Sequence, residues 1–374
     1  MRRIVIKIGS SSLTGECGGL DRERVRFYAK EISRLADAGF KPLVVTSGAV
    51  AAGFRAIGYP HRPRLLREKQ AAAAVGQGLL MKEYAEAFAE HDRIVAQLLL
   101  TRSDLSDRRR MQNALAAVEE LLVRGVVPVI NENDTVAVDE LKFGDNDTLS
   151  ALVAALVKAE QLVIATDTDG LYTDDPRRNP AARKIERVGS IDDGLFRMAG
   201  GSGSAVGTGG MRSKLEAARI AVLAGIEVFV GRVAAPGDLE LAVSGRGKGT
   251  YFEATGSSMS AKKRWIGFHS LPKGAVDVDD GAAKAITEGG KSLLPAGVRG
   301  VDGDFHPGDV VEVRHAGRII GRGVVNYEAA QLRAAAGLSS EEVKRRFDVA
   351  RIEVIHRDEW VAFETLNVRG GLVP

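Results

Sequence analysis

A chain of 374 residues exceeds what one hydrophobic core usually organises, so two domains are expected. Its 45% hydrophobic and 27% charged residues are ordinary for a globular protein, and a formal net charge of +3 does not mark the whole surface as a nucleic-acid binder. The single cysteine, Cys17, rules out an intrachain disulfide framework. No run approaches the roughly 20 apolar residues of a membrane span, and the apolar run at 4–8 is too short for a signal-peptide core. The expectation is a cytoplasmic protein without a membrane segment.

In chain order, residues 4–8 read as a buried strand leading into Gly9-Ser10-Ser11-Ser12. A helix is predicted over 21–38, closed by Gly39. The next strand is 42–46, after which Ser47-Gly48-Ala49 opens another helix with Ser47 as a candidate N-cap. Residues 65–90 read as a long helical region broken around Gly76 and Gly78. A strand follows at 94–100, a helix at 108–124 and an apolar strand at 126–130. Beyond it lies a polar loop of amides and carboxylates, Asn131, Glu132, Asn133, Asp134, Asp139 and Glu140. Gly144 to Thr148 then open a helical pattern over 149–157. Strands at 161–166 and 226–230 flank a helix at 211–224. Alternating strands and helices predict an α/β fold with a mostly parallel central sheet covered on both faces.

After about residue 260 the pattern becomes short β segments: 275–278, 310–315, 319–325, 352–356 and 360–363. Two short helices, 280–288 and 339–347, are predicted among them. The division is a catalytic-type domain at 1–257, a linker at 258–272, a small mainly-β domain at 273–357 and a tail at 364–374.

Several stretches could carry chemistry. Lys7 lies in an apolar strand, where an unpaired ammonium is costly. It is either an edge or snorkelling lysine, or a cation beside a backbone N–H cradle formed by Gly9 and Ser10. Ser47 and Gly48 either cap a helix or receive a carboxylate at its N-terminus. Asp167 either forms a turn before Gly170 or positions active-site lysines. The Gly-rich run 200–214 is either a linker or a phosphate lid running into Lys214; it fits neither a Walker A loop nor a dinucleotide fingerprint. The six histidines show no metal-type pairing. Two lysines, glycine-rich loops, a positioning aspartate and no histidine base suit phosphoryl transfer to an acceptor that is already ionised, such as a carboxylate.

The motifs IVIKIGSS at Ile4, VTSGAV at Val45, INENDTV at Ile130, FGDNDTLSA at Phe143, TDTDGLYTDDPR at Thr166 and GTGGMRSK at Gly207 occur in the order found in one family. Over nearly its whole length the chain resembles the glutamate 5-kinase (γ-glutamyl kinase) family of the amino acid kinase superfamily. KGAVDVDDGAAKAI at Lys273, SLLPAGVRGVDGDFHPGDVVEV at Ser292 and GRIIGRGVVNY at Gly317 make the second domain resemble a PUA barrel. The resemblance implies a three-layer sandwich that uses ATP and Mg2+ to phosphorylate the side-chain carboxylate of L-glutamate, the first step of proline synthesis, under restraint by proline. It implies no protein metal ligands, Mg2+ coming with the nucleotide phosphates.

By motif, Lys7 and Lys214 are implied to stabilise the transferring group, with Asp167 orienting them. Gly9, Ser10, Thr166, Asp167, Tyr172, Thr208, Gly209, Gly210, Met211, Arg212 and Ser213 are implied on the nucleotide side. Ser47, Gly48, Asp134, Asn146 and Asp147 are implied to hold glutamate: residues 131–134 take the amino-acid head, and 144–147 its far end. Asn146 is expected to meet a carboxylate. Residues 135–143 are left unassigned and are the first place to look for a loop that senses proline, and the superfamily implies an even-numbered homo-oligomer, a dimer or tetramer. Arg299, Arg314, Arg318 and Arg322 either contact RNA phosphates or form a solvated surface. Two rivals stand beside this reading: a superfamily kinase acting on another carboxylate or carbamate, and an RNA-binding protein with a degenerate kinase fold.

Overall fold

Residues Arg2–Ile8 (β1) alternate sides as a strand does. Ile4, Ile6 and Ile8 enter the core on one face with Val25, Tyr28, Ile32 and Leu35, which leaves Val5 and Lys7 to the other. The computed structural model describes residues 2–15, 18–137, 146–176, 179–199, 210–254, 260–349 and 351–362. The chain divides into two compact units, Met1–Ser258 and Met259–Pro374.

In the first unit β1 is followed by α1 (Ser10–Leu13), α2 (Arg22–Asp37), β2 (Phe40–Thr46), α3 (Ala49–Gly53), α4 (Leu66–Ala89) and β3 (Val95–Leu100). Then come α5 (Arg102–Ser106), α6 (Arg108–Val123), β4 (Val127–Glu132), α7 (Asn146–Val157), β5 (Gln161–Thr166), β6 (Leu171–Tyr172), β7 (Lys184–Ile185) and β8 (Arg187–Val188). The unit closes with α8 (Asp193–Ala199), α9 (Met211–Leu223), β9 (Glu227–Arg232), α10 (Asp238–Val243) and β10 (Gly249–Phe252).

One eight-stranded sheet runs β3-β4-β2-β1-β5-β9-β10-β8. Its first six strands are parallel, and β10 lies antiparallel to β9. The central strands are buried along nearly their whole length, as a parallel sheet covered on both faces requires. Helices α2, α4 and α10 pack on the face of Ile4, Ile6 and Ile8. Helix α7 packs on β1 and β5 and against α9. The result is the expected three-layer sandwich. Because the chain leaves β1 toward β2 and later returns to β1's other side as β5, the carboxyl ends of β1, β2 and β4 open beside the start of α7, as at a topological switch point.

Local chemistry explains several helix starts. The Asp21 carboxylate accepts from the Glu23 and Arg24 amides and starts α2. Two expectations change. Ser47 does not cap α3: Gly48 holds that position at φ 108°, a left-handed conformation that glycine adopts without strain. Nor is α4 broken at Gly76 and Gly78. It is one 24-residue helix, and Gly76 serves a helix crossing. A Cβ on Gly76 would lie 1.8 Å from Ala49 O, and one on Gly53 would lie 2.0 Å from Ala72 O.

The second unit contains α11 (Ala261–Arg264), one wider turn over Trp265–His269, β11 (Gly274–Val278), α12 (Asp280–Thr287), β12 (Val298–Gly303), β13 (Val310–His315) and β14 (Arg318–Val325). It ends with α13 (Ala329–Ala335), α14 (Ser340–Arg346) and β15 (Ile355–Ala362). Its five strands form one sheet in the order β12-β11-β13-β14-β15 around a separate core that includes Phe305, Tyr327 and Leu332. Ser339 caps α14 in a reciprocal capping box with Glu342.

The two β segments expected at 352–356 and 360–363 are one strand, β15, which extends the unit beyond residue 357. The expected linker, 258–272, is largely structured. Ile266, Phe268 and His269 are buried, and their turn packs on β14 and β15, so burial of these apolar groups attaches the segment to the second unit. Cys17, Asp139, Glu140, Phe143, Gly144, Asp145, Thr208, Gly209 and the 364–374 tail lie outside the described residues.

Candidate active site

Three charged side chains meet beneath the carboxyl end of β1. Lys7 Nζ lies 2.5 Å from Asp147 Oδ1, and Lys214 Nζ lies 3.1 Å from Asp147 Oδ2. Asp147 has no exposed surface, and Lys7 and Lys214 are 5% and 7% exposed. Strand alternation aims Lys7 at the α7 face. The first turn of α7 supplies Asp147, and the first turn of α9 supplies Ser213 and Lys214. Ser213 Oγ donates to the same Asp147 oxygen at 3.0 Å. Burial opposes ionisation of Asp147, yet the adjacent Lys7 and Lys214 ammonium groups outweigh it and hold the carboxyl below the ordinary 3.8. Two ammonium groups and one carboxylate leave a formal charge of +1 between two helix N-termini, an arrangement suited to an anion.

The bridging aspartate is therefore Asp147, not Asp167. The Asp167 side chain is exposed at the end of β5 and accepts a hydrogen bond from Thr166 Oγ1 at 3.1 Å. Asp147 takes the bridge because α7 crosses β1 and carries it between the lysines.

An amide cluster adjoins the charged triad. Asn146 Nδ2 reaches Thr46 O at 2.6 Å, Ser47 Oγ at 3.0 Å and Asn131 Oδ1 at 2.8 Å. Ser47, with Gly48 doing the capping, keeps its hydroxyl for this contact. Asn131 is 2% exposed, and its Nδ2 donates to Gln77 Oε1 at 2.9 Å. Asp134 is half-buried in the turn after β4. The structure thus brings together Lys7, Asp147, Ser213 and Lys214 in one group, and Ser47, Asn131 and Asn146 in a second, joined by consecutive residues of α7. Gly9 and Ser10 follow Lys7, and an added Cβ on Gly9 would lie 3.3 Å from Lys7 Nζ.

The remaining nucleotide-side residues are less tightly engaged. Tyr172 is half-buried on β6, and Gly210, Met211 and Arg212 start α9, where Arg212 pairs with Glu216 at 3.4 Å. Gln77 and Tyr84 of α4 were not singled out in the sequence. The available signal was two polar residues spaced seven apart on a helix that is otherwise largely apolar on that face. Among the described residues, no group of three His, Cys, Asp or Glu side chains could hold a metal ion, and no helix is long and apolar enough to cross a membrane.

In the second unit Arg299 pairs with Asp279 at 2.7 Å, and Arg314 with Asp302 at 3.2 Å and Glu312 at 3.7 Å. Arg322 is 4% exposed and pairs with Glu312 at 3.3 Å. Three of the four arginines singled out as phosphate contacts already face carboxylates, and only Arg318 is exposed without an ion pair to a described residue.

The amino acid kinase family profile matches residues 2–232, and the PUA domain profile matches residues 274–347. The chain is 49% identical to glutamate 5-kinase 1 of Bacillus licheniformis over 364 residues, 97% of this chain and 99% of that one. It is 49% identical to the glutamate 5-kinase of Geobacillus kaustophilus over 369 residues, 98% and 99% of the two chains. Among solved structures, carbamate kinase from Giardia lamblia bound to AMP-PNP matches with a TM-score of 0.50 and 17% identity, covering 68% of this chain and 99% of that one. At that identity the likeness speaks to the fold alone.

Proposed function

Because the chain belongs to the glutamate 5-kinase branch of the amino acid kinase family, we propose that it transfers the γ-phosphoryl group of ATP to the side-chain carboxylate of L-glutamate. The products are ADP and L-glutamyl 5-phosphate, the first intermediate of proline synthesis. The observation that carries the reading is the buried Lys7–Asp147–Lys214 bridge.

A glutamate side chain is ionised at neutral pH, so the acceptor needs no base. The obstacle is repulsion between the incoming carboxylate and the nucleotide phosphates. Lys7 and Lys214 offset that repulsion by placing fixed positive charge where negative charge accumulates on the transferring group. Asp147 keeps the two ammonium groups apart and oriented. The N–H groups at Gly9–Ser10 and at Gly210–Ser213 cradle the phosphates, with Thr166, Asp167 and Tyr172 beside the nucleotide. Ser47, Gly48, Asp134 and Asn146 hold the amino acid, Asp134 complementing its ammonium. Mg2+ comes with the nucleotide phosphates, where it neutralises charge.

The test is ADP release with ATP and L-glutamate, N-acetylglutamate, aspartate or carbamate as acceptor. Turnover with free glutamate alone is expected; its absence would overturn the reading. The same assay run with added proline tests restraint by that amino acid. Light scattering tests the even-numbered homo-oligomer, and binding of structured RNA over a salt series tests the PUA unit, where the pairing of Arg299 and Arg314 with carboxylates and the burial of Arg322 speak against phosphate contacts.

A further inference from the structure

Helix α4 carries two polar side chains into the core. Gln77 and Tyr84 are both buried and lie two turns apart on one face. Each leads to Asn146. Tyr84 OH is 2.8 Å from Thr46 Oγ1, and Thr46 O accepts from Asn146 Nδ2. Gln77 Oε1 accepts from Asn131 Nδ2, and Asn131 Oδ1 accepts from Asn146 Nδ2. Gln77 Nε2 continues the chain to Gln97 Oε1 at 2.9 Å, on the edge strand β3. The glycine crossing at Gly53 and Gly76 fixes α4, so Gln77 is anchored by its neighbour.

Two backbone groups dictate which way these amides face. The Thr46 carbonyl only accepts, so Asn146 must turn Nδ2 toward it. The Glu132 N–H only donates, and Asn131 Oδ1 accepts from it at 2.9 Å. Flipping Asn146 would set oxygen against oxygen, and flipping Asn131 would set N–H against N–H. All the polar contacts of the Asn146 side chain among the described residues fall on Nδ2, whose two protons serve the shorter contacts to Thr46 O and Asn131 Oδ1, with Ser47 Oγ the longest of the three. The atom left for a ligand is therefore Oδ1, an acceptor. It suits an ammonium group, whereas the sequence led to the expectation of a carboxylate partner.

We infer that Gln77 is a positioning residue: it holds the Asn131–Asn146 amide pair, whose polarity the two backbone groups set, at the place where Asn146 Oδ1 meets the ammonium of the amino-acid substrate. This rests on the glutamate reading above. An apolar Gln77 would leave the buried Asn131 donor unpaired and release the pair from one of its two supports on α4.

The test compares wild type, Gln77→Leu, Gln77→Glu and Gln97→Leu. Gln77→Glu keeps the acceptor for Asn131, and Gln97 can rotate to donate to it. Gln77→Leu is expected to raise the KM for glutamate about tenfold, with the KM for ATP within about twofold of wild type. Gln77→Glu should recover most of the loss, and Gln97→Leu, altered at an exposed position that threatens folding least, should show a smaller rise of the same kind.

A second readout needs no turnover: solvent exchange of the Asn146 side-chain amide protons, followed by NMR in the ligand-free protein, should speed up about tenfold in Gln77→Leu and return in Gln77→Glu. Unchanged exchange in Gln77→Leu, an equal rise in both KM values, or no recovery in Gln77→Glu overturns the inference. If wild type releases no ADP with glutamate, the proposed function fails, and amide exchange still decides whether Gln77 sets the pair.

Discussion

Replacing Asp147 by Asn removes one negative charge while keeping the side chain's shape. At an effective dielectric of about 20, charges 2.5 and 3.1 Å apart attract by roughly 7 and 5 kcal/mol before desolvation. Burial of three ions cancels most of that gross attraction. What counts is that the variant leaves two buried ammonium groups facing each other, and loss of one partner from a buried pair typically costs about 3–5 kcal/mol. For a unit of this size each kcal/mol moves the melting temperature by about 2–4 °C, so a fall of about 6–20 °C is expected at pH 7 by calorimetry.

The pH dependence follows from the depressed Asp147 pKa. Its stabilisation is present above 3.8, its unfolded value, and is lost as pH falls through the lower folded value. The gap between wild type and Asp147→Asn should therefore narrow below about pH 4. Displaced lysines should also lower kcat by about a hundredfold. A variant that melts within about 2 °C of wild type at pH 7 would refute the bridging role.

Lys214→Ala should lower kcat by about a hundredfold or more while changing the KM for glutamate little, because its charge acts on the transferring group; steady-state kinetics in both substrates decide this. Asp134→Ala should chiefly raise the KM for glutamate and leave ATP affinity near normal. A loss of ATP binding in that variant would put the turn after β4 on the wrong side of the cleft. Gly76→Ala should destabilise the protein by about 3 kcal/mol or more in denaturant titration, since its Cβ would meet Ala49 O at 1.8 Å. Gly78→Ala, whose Cβ meets nothing within 4 Å, should be neutral or mildly stabilising.

The parallel sheet was legible because its strands are largely apolar runs. The span 161–166 was found to the residue. The helix starts expected at 21 and 339 fell within one residue of α2 and α14, where a side chain does the capping, and the cap expected at Ser47 was misread, since Gly48 holds that position. Gly76 looked like a helix breaker because its role belongs to a partner helix distant in sequence, and local propensity carries no record of such a partner. Lys7 and Lys214 were found as a pair, but their aspartate was misassigned. Asp147 and Asp167 both sit at the edge of a strand or helix in polar surroundings, and only the path of α7 across β1 distinguishes them. In the second unit, β12 and α13 were missed because Gly and Asp interrupt the first and the second is barely two turns long.

The crossing at Gly53 and Gly76 also constrains how this protein can change by mutation. At most contacts a larger side chain on one element can be accommodated by a smaller one opposite. Here each missing Cβ would strike main-chain atoms of the other helix, and no choice of residue across the crossing can move those atoms aside. Neither position can be repaired through its partner, so the two glycines are frozen independently of each other. A variant library sampling both sites should return glycine at each, with no compensating pairs, even though neither residue touches the charged bridge.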